Sequence, residues 1–231
     1  MAESLSVPPG ITIVTGTDTD VGKTVATAAL TRALLQRGRT VLVCKPAQTG
    51  VSADEPGDLA EVCRLSGLLP EHTVEGIRVP EPLAPTTAGR RAGVALPSVA
   101  EHADRLRRLA DDYEHVLVEG AGGVLVGLDD AGATVLDLAD ELVELGMPPG
   151  FVVVARAGLG TLNHTGLTCA AIRARQHTVT GLIIGSMPDH PDLAEQCNLT
   201  DLPAAAGCDL LAALPAGLGS RPGPLDKEHL T

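Results

Sequence analysis

The sequence predicts an α/β fold, a parallel β-sheet with helices on both faces. Three observations carry that prediction. Strand-like apolar runs alternate with helix-like stretches along the chain, the order expected of strands joined by crossover helices. The runs are apolar at successive positions instead of every second one, as strands buried on both faces must be. A glycine-bounded turn ending in Gly22-Lys23-Thr24 joins the first run to the first helix. At 231 residues the chain reads as one domain, 1–231, with no internal repeat and with residues 1–10 as a loose leader.

Taken in order, residues 11–15 (Ile-Thr-Ile-Val-Thr) are a β-branched run typical of a buried strand. Residues 25–36, rich in Ala and Leu and closed by Gly38, read as a helix. Residues 41–44 are a second strand ending at Lys45-Pro46. An acidic loop with Asp54, Glu55 and Asp58 then opens a short helix reaching Ser66 and stopped by Gly67. Residues 70–97, interrupted by prolines from Pro70 to Pro97, are the least regular stretch. Ser98 and Glu101 make a capping box for a charged helix running to about residue 112. Residues 115–118 are a third strand leading to Glu119-Gly120-Ala121-Gly122-Gly123, and residues 134–145 an amphipathic helix stopped by Gly146. Residues 151–155 form the next strand, followed by a glycine loop and a helix over about 161–177. Residues 179–184 read as a strand, 191–206 as a helix and 210–214 as a last short strand.

Tyr113 and Phe151 are the only aromatic residues, so the core must be built from Val, Leu, Ile and Ala. A net charge of −12 argues against nucleic-acid or anionic-membrane partners, which require basic surface. The five cysteines (Cys44, Cys63, Cys169, Cys197, Cys208) are scattered and read as reduced core residues of a cytoplasmic protein. No segment has membrane-spanning length, and residues 1–10 are too short and uncharged for a signal peptide.

The chemistry concentrates at the ends of the strands. Gly16-Thr17-Asp18-Thr19-Asp20-Val21-Gly22-Lys23-Thr24, between strand and helix, is a phosphate-binding P-loop. Its amides and the helix dipole face phosphate oxygens, Lys23 reaches the β- and γ-phosphates, and the Thr24 hydroxyl sits on Mg²⁺. Five residues separate Gly16 from Gly22 where the common loop has four, which puts Thr17 where a glycine would stand. Glu119, closing an apolar strand near the loop, reads as the second Mg²⁺ contact. Lys45, by spacing alone, reads as either a surface charge or a functional cation. Asp58 reads as a helix N-cap or a site carboxylate, and the loop at residues 157–161 as a carboxylate site or a plain connection. His164, with no second His or Cys at ligand spacing, reads as structural. The fold is thus of P-loop NTPase type, handling a nucleoside triphosphate with Mg²⁺.

Four segments stand in the order of a known family: the P-loop, Lys45-Pro46-Ala47-Gln48-Thr49-Gly50, Val118-Glu119-Gly120-Ala121-Gly122-Gly123 and Gly160-Thr161-Leu162-Asn163-His164. Over residues 11–217 the sequence resembles the dethiobiotin synthetases. The resemblance implies an ATP-dependent ligase of biotin synthesis. Such an enzyme carboxylates 7,8-diaminononanoate with CO₂ (or bicarbonate as its source) and closes the ureido ring through a carbamic-phosphoric anhydride. It implies a homodimer, with Lys45 and Lys23 as catalytic cations and Thr24, Asp58 and Glu119 as Mg²⁺ contacts. Nucleotide contacts would come from Asp20, Val21, Gly22, Val25, Gly120, Ala121 and Gly122, with Gly185, Ser186, Pro215, Ala216 and Gly217 on the base side. Substrate contacts would come from Thr19, Thr49 and Gly122, and from Asn163 across the dimer interface. Asp20 stands where better-known members have Glu, and Gly185-Ser186 where they have Asn-Asp, which implies relaxed base selectivity. Residues 220–231 are too short and proline-broken for the usual closing helix.

Two other classes fit parts of the pattern. A partitioning-type ATPase switch would carry a second lysine inside the phosphate loop, and Thr17-Asp18-Thr19-Asp20 has none. A small-molecule kinase would need a cationic lid, and Arg90-Arg91 reads as a solvated helix edge instead.

Overall fold

The computed structural model describes residues 5–226. The outermost parts of the leader and tail, residues 1–4 and 227–231 including Lys227, lie outside them. Seven strands are hydrogen-bonded in one all-parallel sheet: β1 (Gly10–Gly16), β2 (Val41–Thr49), β3 (Thr73–Val79), β4 (His115–Gly123), β5 (Gly150–Ala155), β6 (Thr178–Met187) and β7 (Leu210–Pro215). Their order is β3-β2-β4-β1-β5-β6-β7. The helices are α1 (Lys23–Leu35), α2 (Asp58–Ser66), α3 (Pro85–Ala92), α4 (Val99–Ala110), α5 (Val135–Glu144), α6 (Thr161–Ala174) and α7 (Leu193–Ala206). From β1 the chain passes to β2 and the β3 edge, returns as β4 between β2 and β1, and then runs outward through β5, β6 and β7. The carboxyl ends of β1, β2 and β4 flank the crevice where such sheets bind ligands.

The continuous apolar strands have the reason the sequence suggests. Val116 and Val118 of β4 enter the core on one face of the sheet with Leu106, Leu138 and Ile172. Leu117, between them, packs with Ala26, Leu30 and Leu65 on the other face. Phe151 and Val153 alternate with Val152 and Val154 in the same way.

Several boundaries differ from the sequence reading. β2 runs through Lys45 to Thr49 and β4 through Glu119 to Gly123, so both residues lie inside strands, not after them. The two strands pair only as far as Cys44 and Val118. Beyond that point β2 continues against β3 alone, and the gap between β2 and β4 becomes the mouth of a cavity. Pro46 is tolerated because β2 is bonded on one side only there. The proline-interrupted stretch holds a strand, β3, and a helix, α3, where the sequence suggested irregular chain. The leader is not loose throughout: Leu5 and Val7 are buried in the core. The tail packs back on α1 and α2, with Leu225 buried and its carbonyl accepting from Arg32 Nε at 2.9 Å. Among the cysteines, Cys44 and Cys169 are core residues, Cys63 and Cys208 are half-buried, and Cys197 is exposed. Burial pushes the Cys44 thiol up to about 12.

Candidate active site

The phosphate loop is shaped by two left-handed residues, Asp20 (φ 56°) and Gly22 (φ 91°). Asp tolerates that region better than a longer side chain does, which gives the Asp20 position a backbone reason. Thr17 stays out of it, and its amide donates to the Val154 carbonyl at 2.9 Å, so the inserted residue needs no glycine. Behind the loop stands Gly185 of β6. A Cβ there would lie 1.9 Å from the Val21 carbonyl oxygen, so the loop can rest on β6 only because residue 185 has no side chain. Arg156 ties the loop from the side, donating to Asp18 Oδ2 at 3.2 Å and to the Thr19 carbonyl at 3.1 Å.

In front of the loop lies a cavity of about 900 Å³, the size of a cofactor or nucleotide site. Thr19, Asp20, Gly22, Lys23, Thr24 and Val25 line one wall; Lys45, Thr49 and Asp58 line the second; Glu119, Gly120, Ala121 and Gly122 line the third. The sequence reading brought these positions together, and the structure does the same.

Four charged groups define its chemistry. Lys45 is buried, and its ammonium bridges two carboxylates, Asp58 Oδ2 at 2.5 Å and Glu119 Oε1 at 2.9 Å. It is therefore no surface charge. Burial opposes its charge, but Glu119 and Asp58 together outweigh burial and hold its pKa above the ordinary lysine value. Lys23 has the opposite balance. Burial, with the nearby Lys45 charge adding to it, holds its pKa below the ordinary value although Glu119 and Asp58 oppose the shift. Its Nζ donates to the Asp18 carbonyl at 3.1 Å. Glu119 Oε1 accepts from Thr24 Oγ1 at 2.9 Å as well as from Lys45, while Oε2 is buried with no partner. A buried carboxylate oxygen without a donor is what a cation would satisfy. Asp58 is the first residue of α2, with Gly57 at the N-cap position, so it is not the cap that the sequence allowed. Among the described residues no group of three His, Cys, Asp or Glu could hold a metal ion. A Mg²⁺ at Thr24, Asp58 and Glu119 would accordingly take its other ligands from phosphate and water.

The remaining sequence candidates lie elsewhere. Val21 is buried behind the loop and does not line the cavity. Gly185, Ser186 and residues 215–217 do not line the cavity; Gly185 backs the loop, and Met187, further along β6, pairs with Pro215 and accepts from the Ala216 amide at 2.7 Å. Asn163 and His164 are exposed in the first turn of α6, outside the cavity. Arg91 pairs with Glu81 in solvent, in keeping with a helix edge. Sequence reasoning missed the roof at Pro82, Leu83, Ala84 and Pro85, and it gave Gln48 no role. Gln48 was visible as part of a quoted motif; the roof carries no motif at all.

Comparison with known proteins agrees with this geometry. The profile of a family described as an AAA domain matches residues 12–219. The ATP-dependent dethiobiotin synthetase BioD of Rhodococcus jostii (strain RHA1) is 54% identical over 209 residues, covering 90% of this chain and 87% of that protein. The BioD of Streptomyces avermitilis is 53% identical over 212 residues, covering 91% and 85%. Among solved structures, the cell division ATPase MinD of Pyrococcus furiosus superposes with a TM-score of 0.53 at 16% identity, over 89% of this chain and 83% of that one. A ParA family ATPase from Chlorobium tepidum TLS gives 0.52 at 13% identity, over 91% and 85%. These structural likenesses establish the P-loop NTPase fold, and the sequence likenesses decide between its members: this chain belongs to the ATP-dependent dethiobiotin synthetase family.

Proposed function

We propose that this protein converts 7,8-diaminononanoate, CO₂ and ATP into dethiobiotin, ADP and phosphate in biotin synthesis. The observation that carries this reading is the placement of Lys45. The ammonium sits buried between Asp58 and Glu119 and faces the same cavity as the phosphate-loop lysine. A P-loop that only bound nucleotide would need no second buried cation there. A reaction passing through a carbamate and a departing phosphoryl group does.

In the proposed sequence one substrate amine takes up CO₂ to give a carbamate. A carbamate oxygen attacks the γ-phosphorus, and the bond to the ADP oxygen breaks. The second amine then attacks the carbonyl of the mixed anhydride, closes the ring, loses its proton and expels phosphate. Mg²⁺, when bound, neutralises charge on the phosphate oxygens. Lys23 holds the transferring phosphoryl group, and Lys45 faces the carbamate and stabilises the charge as it moves. Thr24, Asp58 and Glu119 would hold the metal. Thr19, Thr49 and Gly122 would contact the diamine, with Asn163 receiving its carboxylate from a partner subunit. Asn163 is exposed beside Leu159 and Leu167, which are 92% and 63% exposed, and this fits a homodimer covering that face. The five free thiols fit a reducing compartment, the cytoplasm.

Incubation with diaminononanoate, bicarbonate and ATP should release one phosphate per dethiobiotin formed. Phosphate release that does not depend on the diamine would reject the ligase in favour of an ATPase switch.

Thr24→Val and Glu119→Gln should each raise the Mg²⁺ concentration needed for half-maximal activity, since each removes a ligand oxygen or its charge. Identical Mg²⁺ titrations for both variants and the wild type would remove them from the metal site.

Base selectivity should be weak. Gly185 offers the base no side chain, and Ser186 is exposed. Losing one base hydrogen bond costs only about 1 kcal/mol, roughly a few-fold. Turnover measured with ATP, GTP and CTP should therefore fall within one narrow range. A preference for ATP beyond about a hundredfold contradicts this.

A further inference from the structure

We propose that Gln48 is a positioning residue for Asp58. It sets the first turn of α2 so that the Asp58 carboxylate meets Lys45 and the metal. The inference rests on the reading above in which Asp58 contacts Mg²⁺.

The observations are geometric. Asp58 opens α2, a helix whose N-cap residue, Gly57, supplies no side-chain acceptor. The first amides of a helix have no partner within it and need one from outside. The Asp58 amide finds it ten residues back, in Gln48 Oε1 at 2.8 Å. Gln48 is 4% exposed, and its Nε2 donates to the Thr49 carbonyl at 3.1 Å. That second bond fixes which way the carboxamide faces. β2 thus acts at three of its positions on one site: Lys45 binds the Asp58 carboxylate, Gln48 binds the Asp58 amide, and Thr49 lines the cavity.

The approach is close enough to dictate the neighbouring residue. A Cβ at Gly57 would stand 2.7 Å from Gln48 Oε1 and 2.9 Å from Arg78 Nη2. Arg78 in turn donates to the Ser52 carbonyl at 3.0 Å and the Glu55 carbonyl at 2.6 Å, holding the loop that delivers Asp58. An exposed loop and a short helix would otherwise leave the carboxylate free to turn toward solvent, because the Asp58 side chain is 37% exposed. A group that orients a metal ligand without touching the metal typically changes metal affinity 10–100-fold when it is lost.

The test uses Gln48→Met, which keeps the length and removes both the acceptor for the Asp58 amide and the Nε2 donor to the Thr49 carbonyl. The readout is nucleotide affinity by calorimetry across a Mg²⁺ titration, which needs neither the diamine nor turnover. Gln48→Met should leave affinity without Mg²⁺ within about twofold and raise the half-saturating Mg²⁺ about tenfold. In a cycle with Asp58→Asn, the double variant should be no worse than Asp58→Asn alone, because Gln48 acts through that carboxylate. Two outcomes overturn the proposal: an unchanged Mg²⁺ dependence in Gln48→Met, or effects that multiply in the double variant. Failure of the wild type to make dethiobiotin would instead reject the functional reading, whatever the calorimetry gave.

Discussion

Lys23→Ala should all but abolish turnover, with a fall of up to about a thousandfold at saturating nucleotide. Lys23 is 9% exposed, and among the described residues its ammonium donates to the Asp18 carbonyl of its own loop. Burial weakens its hold on the proton, and the Lys45 charge adds to that, so it sits in the cavity poorly compensated. A triphosphate supplies the missing negative charge. Lys45 does not take its place, because it lies on β2, outside the loop that grips the phosphates. The same imbalance predicts a second result. Removing Lys23 takes away a desolvated charge with one neutral hydrogen bond, so the nucleotide-free protein should keep its thermal midpoint within a few degrees. The rise in midpoint on adding nucleotide should be lost. Phosphate release near the wild-type rate at saturating ATP would show that this loop does not hold the reacting phosphates.

What the sequence made legible follows from what burial does to strands. β1, β4 and β5 are covered on both faces, so successive positions are buried and mostly apolar and the runs stand out. The same strands become illegible at their carboxyl ends, where they serve the site. Lys45 to Thr49 and Glu119 to Gly123 hold their strand pairing despite charge, proline and glycine, because the backbone bonds to β3 and β1 persist after the side chains turn functional. β3 has no such apolar signal. It is an edge strand of intermediate burial carrying Glu75, Gly76 and Arg78. Residue 76 must be glycine because a Cβ there would meet the Pro46 carbonyl at 2.2 Å. The site divides in the same way. Lys23, Thr24 and Glu119 were readable because local chemistry fixes their spacing. The burial of Lys45, the role of Gln48 and the roof at Pro82 to Pro85 depend on how β2, α2 and the following loop pack, which no local pattern encodes.

Lys45→Ala should leave nucleotide binding largely intact and slow the chemical step by on the order of a hundredfold or more. Lys45 lies on β2, outside the loop that grips the phosphates, yet near enough to Lys23 for the two charges to repel. With a bound triphosphate most of the phosphate contacts come from the loop amides, Lys23 and Thr24, none of which the substitution touches. In the proposed reaction the Lys45 ammonium instead faces the point where charge passes from carbamate to γ-phosphate. An interaction that strengthens only in the transition state lowers the maximal rate when removed and barely changes ground-state affinity. The substitution also leaves Glu119, 1% exposed, facing Asp58 without the cation between them. Taking one partner from a buried pair is strongly destabilising, so the metal-free variant should unfold at a lower temperature and recover part of the loss when Mg²⁺ and nucleotide are added. Calorimetry of nucleotide binding beside single-turnover phosphate release separates the roles. A variant that binds nucleotide poorly but reacts normally once saturated would make Lys45 a nucleotide ligand and end its catalytic assignment.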